Sequence, residues 1–223
     1  MSPESVILVE ACVTTLEEAV AASKAGAHRL ELCAKLDEGG VTPYLELFND
    51  VLDVVELPIC VMIRPRSGSF HMTPDEISRM IRDVERFADA GVDGLVVGVL
   101  DAKGEPDAGA IAELVDAAHP VPLVFHRAFD QCANPLQALD VLFDAGIDRI
   151  LTAGGTGTAW ENRATLKDLV AAAEGRLTIM AGGGIRADHV QSLIDETGVI
   201  DIHARASAIP GIVAALEKET GAG

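Results

Sequence analysis

The feature that most constrains this 223-residue chain is a short string that returns. Ala25-Gly26-Ala27-His28, Ala90-Gly91-Val92-Asp93 and Ala145-Gly146-Ile147-Asp148 each stand between a segment of helical period and an apolar run. Thr197-Gly198-Val199-Ile200-Asp201 is a looser fourth copy. The glycines lie 65, 55 and 52 residues apart, about two strand–helix units each time. Four double units make eight.

The apolar runs fit that count. Segments 6–12, 28–34, 58–64, 93–99, 121–127, 148–153, 176–181 and 200–204 read as strands, rich in Val, Ile and Leu. Between the third and fourth, Ile77, Met80, Ile81, Val84, Phe87 and Ala88 follow the rhythm of one buried helix face. Thr73 with Glu76 reads as a capping box, Pro74 suits the first helical position, and Gly91 suits the C-terminal left-handed position. Thr14 with Glu17, ending at Gly26, repeats the design, as do Asn134-Pro135 and Gly146. The last helix is expected over Ile209 to Lys218. Eight parallel strands and eight helices in fewer than ~250 residues is the size of a TIM (β/α)8 barrel. A doubly wound open sheet is the rival, because alternation alone does not separate the two. The fourfold spacing favours closure, and no GxGxxG follows the first strand. The reading is one closed α/β barrel domain over residues 1–223.

Charge narrows the partners. Seventeen Lys and Arg stand against 35 Asp and Glu, a net −18. No basic cluster overcomes that field, so nucleic acid and anionic membrane surfaces are excluded as partners. No 18-residue apolar run exists, and the first residues lack a basic n-region and cleavage site. A cytoplasmic location is expected. Cys12, Cys33, Cys60 and Cys132 form no CxxC pair, and in a reducing cytosol they are free thiols.

Strand side chains alternate, and the face turned to the helices must be apolar. Ile7, Val9 and Ala11 therefore face out, leaving Leu8, Glu10 and Cys12 inside. The same rule puts Arg29, Glu31 and Cys33 inside from the second strand, and Cys60, Met62 and Arg64 from the third. His126 points in from the fifth, Asp201 and His203 from the eighth, with Thr152 and Met180 as the inward residues of strands six and seven. The set converging near the strand ends is Glu10, Cys12, Glu31, Cys33, Met62, Arg64, His126 and His203. A buried carboxylate is costly unless paired, protonated or metal-bound. Arg64 is expected to neutralise one of Glu10 and Glu31, and a bound ion, a histidine or a substrate the other. The bland counterpart is a structural polar layer, with Cys12, Cys33, Met62 and Met180 as packing. Cys60 and Cys132 receive no role.

Two glycine turns follow strands six and seven, at Gly154-Gly155 and Gly182-Gly183-Gly184. Freed amides near a helix start cradle phosphate in many barrels, though tight βα loops need glycine anyway. Arg127 is a candidate anion partner beside them. The stretch Ser67-Gly68-Ser69 to His71 is either a lid or a long connection.

The strings VEAC (9–12), RLELCAKLDEGGVTP (29–43), VMIRPRSGSF (61–70), FHRAFD (125–130), ILTAGG (150–155) and IMAGGGIR (179–186) run in order along residues 6 to 205. In them the chain resembles the CutC family of copper-homeostasis proteins. The resemblance implies a TIM barrel and a role in handling or tolerating copper, without a reaction. Its pattern falls on Glu10, Cys12, Glu31, Cys33, Asp37, Glu38, Met62, Arg64, Arg66, His126, Arg127, Asp130, Gly154, Gly155, Gly182 to Gly184 and His203. The chain departs from it after His203, where a longer tail is usual and Ala204-Arg205-Ala206-Ser207 runs almost directly into the last helix.

Two functions follow. In the first, cuprous ion sits on Cys12 and Cys33 with Met62 or a histidine as third ligand, since soft ions prefer thiolate, thioether and imidazole. In the second, the barrel is an enzyme on a small anionic metabolite. Glu10, Glu31, His126 and His203 would move protons, and Arg64, Arg127 and the glycine turns would hold carboxylate or phosphate. A hard divalent metal on Glu10, Glu31 and a histidine is a variant of it. The resemblance places copper first, whereas the paired carboxylates by themselves favour the enzyme. Expected partners are a metal ion or a small anion, with a homo-oligomer left open.

Overall fold

The computed structural model describes residues 6–220. Strands and helices alternate: β1 (Leu8–Val13), α1 (Leu16–Lys24), β2 (Arg29–Leu32), α2 (Leu45–Leu52), β3 (Ile59–Met62), α3 (Pro74–Asp89), β4 (Gly94–Val97) and α4 (Ala108–Ala118). The second half repeats the order with β5 (Leu123–Phe125), α5 (Pro135–Asp144), β6 (Arg149–Thr152), α6 (Arg163–Ala173), β7 (Thr178–Gly182), α7 (Val190–Thr197), β8 (Asp201–Arg205) and α8 (Ile209–Thr220). The strands pair in parallel and in sequence, and β8 returns to β1 to close the barrel. The open sheet is excluded.

The recurring string now has a physical reason. Gly26, Gly91 and Gly146 take φ of +89°, +88° and +89°, a left-handed turn that stops each helix at little cost only for glycine. The residue two further on clasps the start of the preceding strand from both sides. Asp93 donates its amide to the Ile59 carbonyl and accepts from the Ile59 amide through Oδ2. Asp148 does the same with Leu123, and His28 with Val9 through Nδ1. The fourth copy differs: Asp201 opens β8 and turns its carboxylate inside the barrel.

Helix starts follow the sequence with one slip. Thr73 and Glu76 form the reciprocal capping box, and α3 buries Met80, Val84 and Phe87, each burial worth about 1.5–3 kcal/mol. At α1 the cap is Thr15, which accepts from the Glu18 amide, while Glu18 Oε2 accepts from Thr14. Two adjacent threonines moved the expected Thr14–Glu17 box by one residue.

Two apolar layers result. The larger fills the space between strands and helices, and a smaller one lies inside the barrel on Cys12, Cys33, Cys60, Met62, Val96, Val124, Leu151 and Met180. Period-two alternation therefore held for most strands. It failed in β6, where Arg149 and Leu151 point inward and Thr152 does not. Phasing β6 from Thr152 kept Arg149 out of the interior, but an acidic partner waits for it there.

Candidate functional site

The barrel interior carries a chain of alternating charge. Glu10 is fully buried; Arg29 donates through Nε to its Oε2, and His203 Nδ1 lies 2.8 Å from its Oε1. Arg29 Nη2 reaches both oxygens of Asp201, at 2.9 and 3.1 Å, and Arg149 Nε lies 2.8 Å from Asp201 Oδ2. Burial raises the Glu10 carboxyl, but the His203 hydrogen bond and the Arg29 charge outweigh it and hold the group down to about 2. The cation that neutralises Glu10 is thus Arg29, directly opposite it in the β1–β2 register, and not Arg64.

Glu31 has no such partner. It is buried, its Oε1 accepts a weak bond from the Cys12 thiol at 3.6 Å, and its Oε2 makes no hydrogen bond. His203 Nδ1 is 3.9 Å away. Burial shifts the Glu31 carboxyl upward, only partly countered by the nearby imidazole. Cys12 and Cys33 project from the ends of neighbouring strands with their sulfurs 3.7 Å apart, in hydrogen-bonding contact and without a disulfide. Gly40 is folded over this pair: a Cβ there would lie 3.6 Å from both Cys33 Sγ and the Met62 methyl.

Arg64 serves the loops. Its Nη1 donates to the Gly39 and Gly40 carbonyls at 3.1 Å, its Nη2 to the Gly68 carbonyl at 2.7 Å, and its guanidinium stacks 4.6 Å from the Phe70 ring. It pairs with neither carboxylate, so the expected Arg64–glutamate pair is corrected. The same bonds, with those from Arg66 to the Ser69 and His71 carbonyls, pin the 67–71 stretch. Phe70 lies 4.9 Å from the His126 ring. His126 Nδ1 accepts from the Ala128 amide, and burial together with the Arg64 charge pushes the imidazole down to about 3. Its Nε2 is buried without a partner.

These side chains meet a cavity of about 630 Å³ at the C-terminal end of the strands. Glu31, Cys12, Met62, His126 and His203 reach it from below, and Arg127, Gly183, Gly184, Arg186 and Arg205 line its rim. Glu10, Cys33 and Arg64 lie behind that lining. Gly154 and Gly155 do not line it either. Asp130 accepts from Thr152 Oγ1, from the Ala153 amide at 3.0 Å and from the Gly155 amide at 3.3 Å, while the Gly154 amide donates to Thr152 Oγ1. The chain's own carboxylate fills that cradle, so the anion-binding expectation for Gly154 and Gly155 does not hold. Gly182 is tight packing, since a Cβ there would come 2.5 Å from Leu151 Cδ1. Cys60 is buried in the inner layer, and burial pushes the Cys132 thiol up to about 12.

Sequence reasoning had Arg29 and Asp201 inside but gave them no part, and it missed Arg149, Arg186 and Arg205. Depth along the barrel axis depends on strand stagger, which alternation does not reveal.

A closed parallel barrel with a polar cavity at its strand ends defines a TIM-barrel protein. Within that class, residues 7–208 match the CutC family. A CutC family protein of Histophilus somni strain 2336 is 42% identical over 195 residues, which cover 87% of this chain and 80% of that protein. One from Salmonella enteritidis PT4 is 40% identical over 202 residues, 91% and 81% of the two chains. The crystal structure of CutC from Streptococcus agalactiae superposes with a TM-score of 0.84 at 36% identity, covering 89% of this chain and 98% of that one. The chain belongs to the CutC family.

Proposed function

We propose that this protein binds cuprous ion in the cytoplasm, on Cys12 and Cys33, and acts in copper homeostasis, the role in the name given to the Streptococcus agalactiae relative. The observation that carries this reading is the 3.7 Å separation of two sulfurs beside the cavity that form no disulfide. Metal–thiolate bonds run about 2.3 Å, so both sulfurs can touch one ion. Thiolate is the soft anionic ligand that cuprous ion favours, and the Met62 thioether adjoins the pair. Two side-chain clusters could hold a metal among the described residues, Cys12–Glu31–Cys33 and Glu10–Glu31–His203. The first fits better. Both Glu10 oxygens and His203 Nδ1 are already engaged in charged hydrogen bonds, whereas the thiols give up their protons and only the weak bonds of Cys12 to Glu31 and to Cys33.

The test is anaerobic titration with cuprous ion against bicinchoninate at pH 7. The wild type is expected to withdraw one equivalent from the chelator. Cys12→Ser with Cys33→Ser is expected to withdraw none, and an unchanged stoichiometry in that double variant excludes the pair.

A further inference from the structure

The cavity rim contradicts the charge of the chain. Acidic side chains outnumber basic ones two to one overall, yet three arginines line this one cavity and Glu31 is the sole carboxylate among its described lining residues. Arg127 is the best placed of the three. Its Nε donates to Asp130 Oδ2 at 2.8 Å, and Asp130 is itself fixed by Thr152 and the Ala153 amide. That leaves the two terminal nitrogens without a hydrogen bond to the described residues. They hang over the Gly183 backbone: a Cβ on Gly183 would lie 3.3 Å from Arg127 Cζ. A preoriented guanidinium beside a glycine turn suits a phosphate, which takes paired N–H donors.

The cavity floor specifies more than charge. The Ala128 amide occupies His126 Nδ1, so the neutral ring carries its proton on Nε2. Buried donors are rarely left unmade, and this Nε2–H is buried and unpartnered. Glu31 Oε2 is a buried acceptor in the same condition. A fixed donor and a fixed acceptor facing one cavity match the oxygens and hydroxyl protons of a small polyol. We propose that this cavity binds a small hydroxylated phosphate monoester, its phosphate on Arg127 and the Gly183–Gly184 turn, its hydroxyl end on His126 Nε2 and Glu31 Oε2. The volume of about 630 Å³ is within the range of small-molecule sites. Three of these four contacts lie outside the Cys12–Glu31–Cys33 cluster, and the binding is tested on metal-free protein, so the proposal stands or falls apart from copper binding.

The test is calorimetric titration of the metal-free protein with glycerol 3-phosphate, inorganic phosphate, glycerate and glycerol. Glycerol 3-phosphate is expected to bind saturably and at least tenfold more tightly than inorganic phosphate, with no binding of glycerol. Arg127→Gln should weaken both phosphates at least tenfold. The Arg127 side chain is 44% exposed, so the fold should survive; if it does not, Arg127→Lys, which keeps the charge beside Asp130 but loses the paired N–H donors, provides the reading. His126→Phe should bring glycerol 3-phosphate to the level of inorganic phosphate and leave the latter unchanged. No saturation by either phosphate up to about 10 mM, well above the millimolar affinity of a weak site, overturns the proposal. Binding indifferent to the arginine variant, or glycerate binding more tightly than glycerol 3-phosphate, overturns it as well.

Discussion

Glu10 and Glu31 stand on neighbouring strands, share the imidazole of His203, and are pushed in opposite directions by the barrel. Both are buried, which by itself raises a carboxyl pKa; Glu10 is pulled far below its ordinary value by His203 and Arg29, and Glu31 stays above its own. One is therefore a structural ion and the other an under-satisfied group facing a cavity. Glu10→Gln should take one charge partner from Arg29 and from His203 and cost about 1–3 kcal/mol. That is less than the full loss for a broken buried pair, because Asp201 still faces Arg29. Glu31→Gln should leave the melting temperature unchanged or raise it, because His203, 3.9 Å from Glu31, keeps its closer partner Glu10 at 2.8 Å. Urea denaturation of the two variants checks this. The reverse order of losses would assign the structural role to Glu31.

Arg64 makes its contribution through three backbone carbonyls on two loops. A lysine at this position keeps the charge but cannot span them. Arg64→Lys should cost about 1–3 kcal/mol, from two or three lost bonds, of which only the one to Gly40 leaves a buried carbonyl unpaired. Amide exchange should rise selectively around residues 39–40 and 67–70. A stability loss without that local signature would mean that the guanidinium acts through packing on Phe70 alone.

What the sequence conceals is visible in the same two arginines. The recurring glycine named a closed barrel because each of the first three copies stops a helix and clasps a strand, through His28, Asp93 or Asp148. Alternation then sorted inward from outward side chains in most strands. It says nothing about height. Arg29 and Arg64 both read as inward, but Arg29 opens its strand opposite Glu10, while Arg64 lies two residues past the end of β3. The failure at Thr152 has a related cause. Keeping Arg149 out of the barrel is sound only if no acid is inside to meet it, and Asp201 is there. The Gly154-Gly155 turn misled because Asp130, 24 residues earlier than Gly154, competes for its amides.

Gly98 reserves space for His126. A Cβ on Gly98 would lie 2.1 Å from His126 Cε1, so the imidazole fits only against bare backbone. Gly98→Ala should displace the ring and cost about 1–3 kcal/mol, the usual range for overpacking. In a His126→Ala background the same alanine meets no ring. The double variant should therefore be more stable than the sum of the two single losses predicts. Additive losses would show that Gly98 is required for its backbone and not for the imidazole.

The last prediction concerns acid. His126 is neutral in the folded protein down to about pH 3, whereas the unfolded chain titrates near 6.5. Between those values the unfolded state binds the extra proton, so stability is fully present above 6.5 and falls as pH falls towards 3. The limiting slope is about 1.4 kcal/mol per pH unit for one group. His126→Asn supplies a non-titrating side chain whose carbonyl oxygen can accept from the Ala128 amide as Nδ1 does. Subtracting its unfolding free energy from that of the wild type cancels the other carboxylates and histidines. The difference should be constant above pH 7 and turn against the wild type between pH 6 and pH 4, by about 1–3 kcal/mol. A flat difference across that interval would place the imidazole in contact with water, and the unpartnered Nε2–H on the cavity floor would lose its meaning.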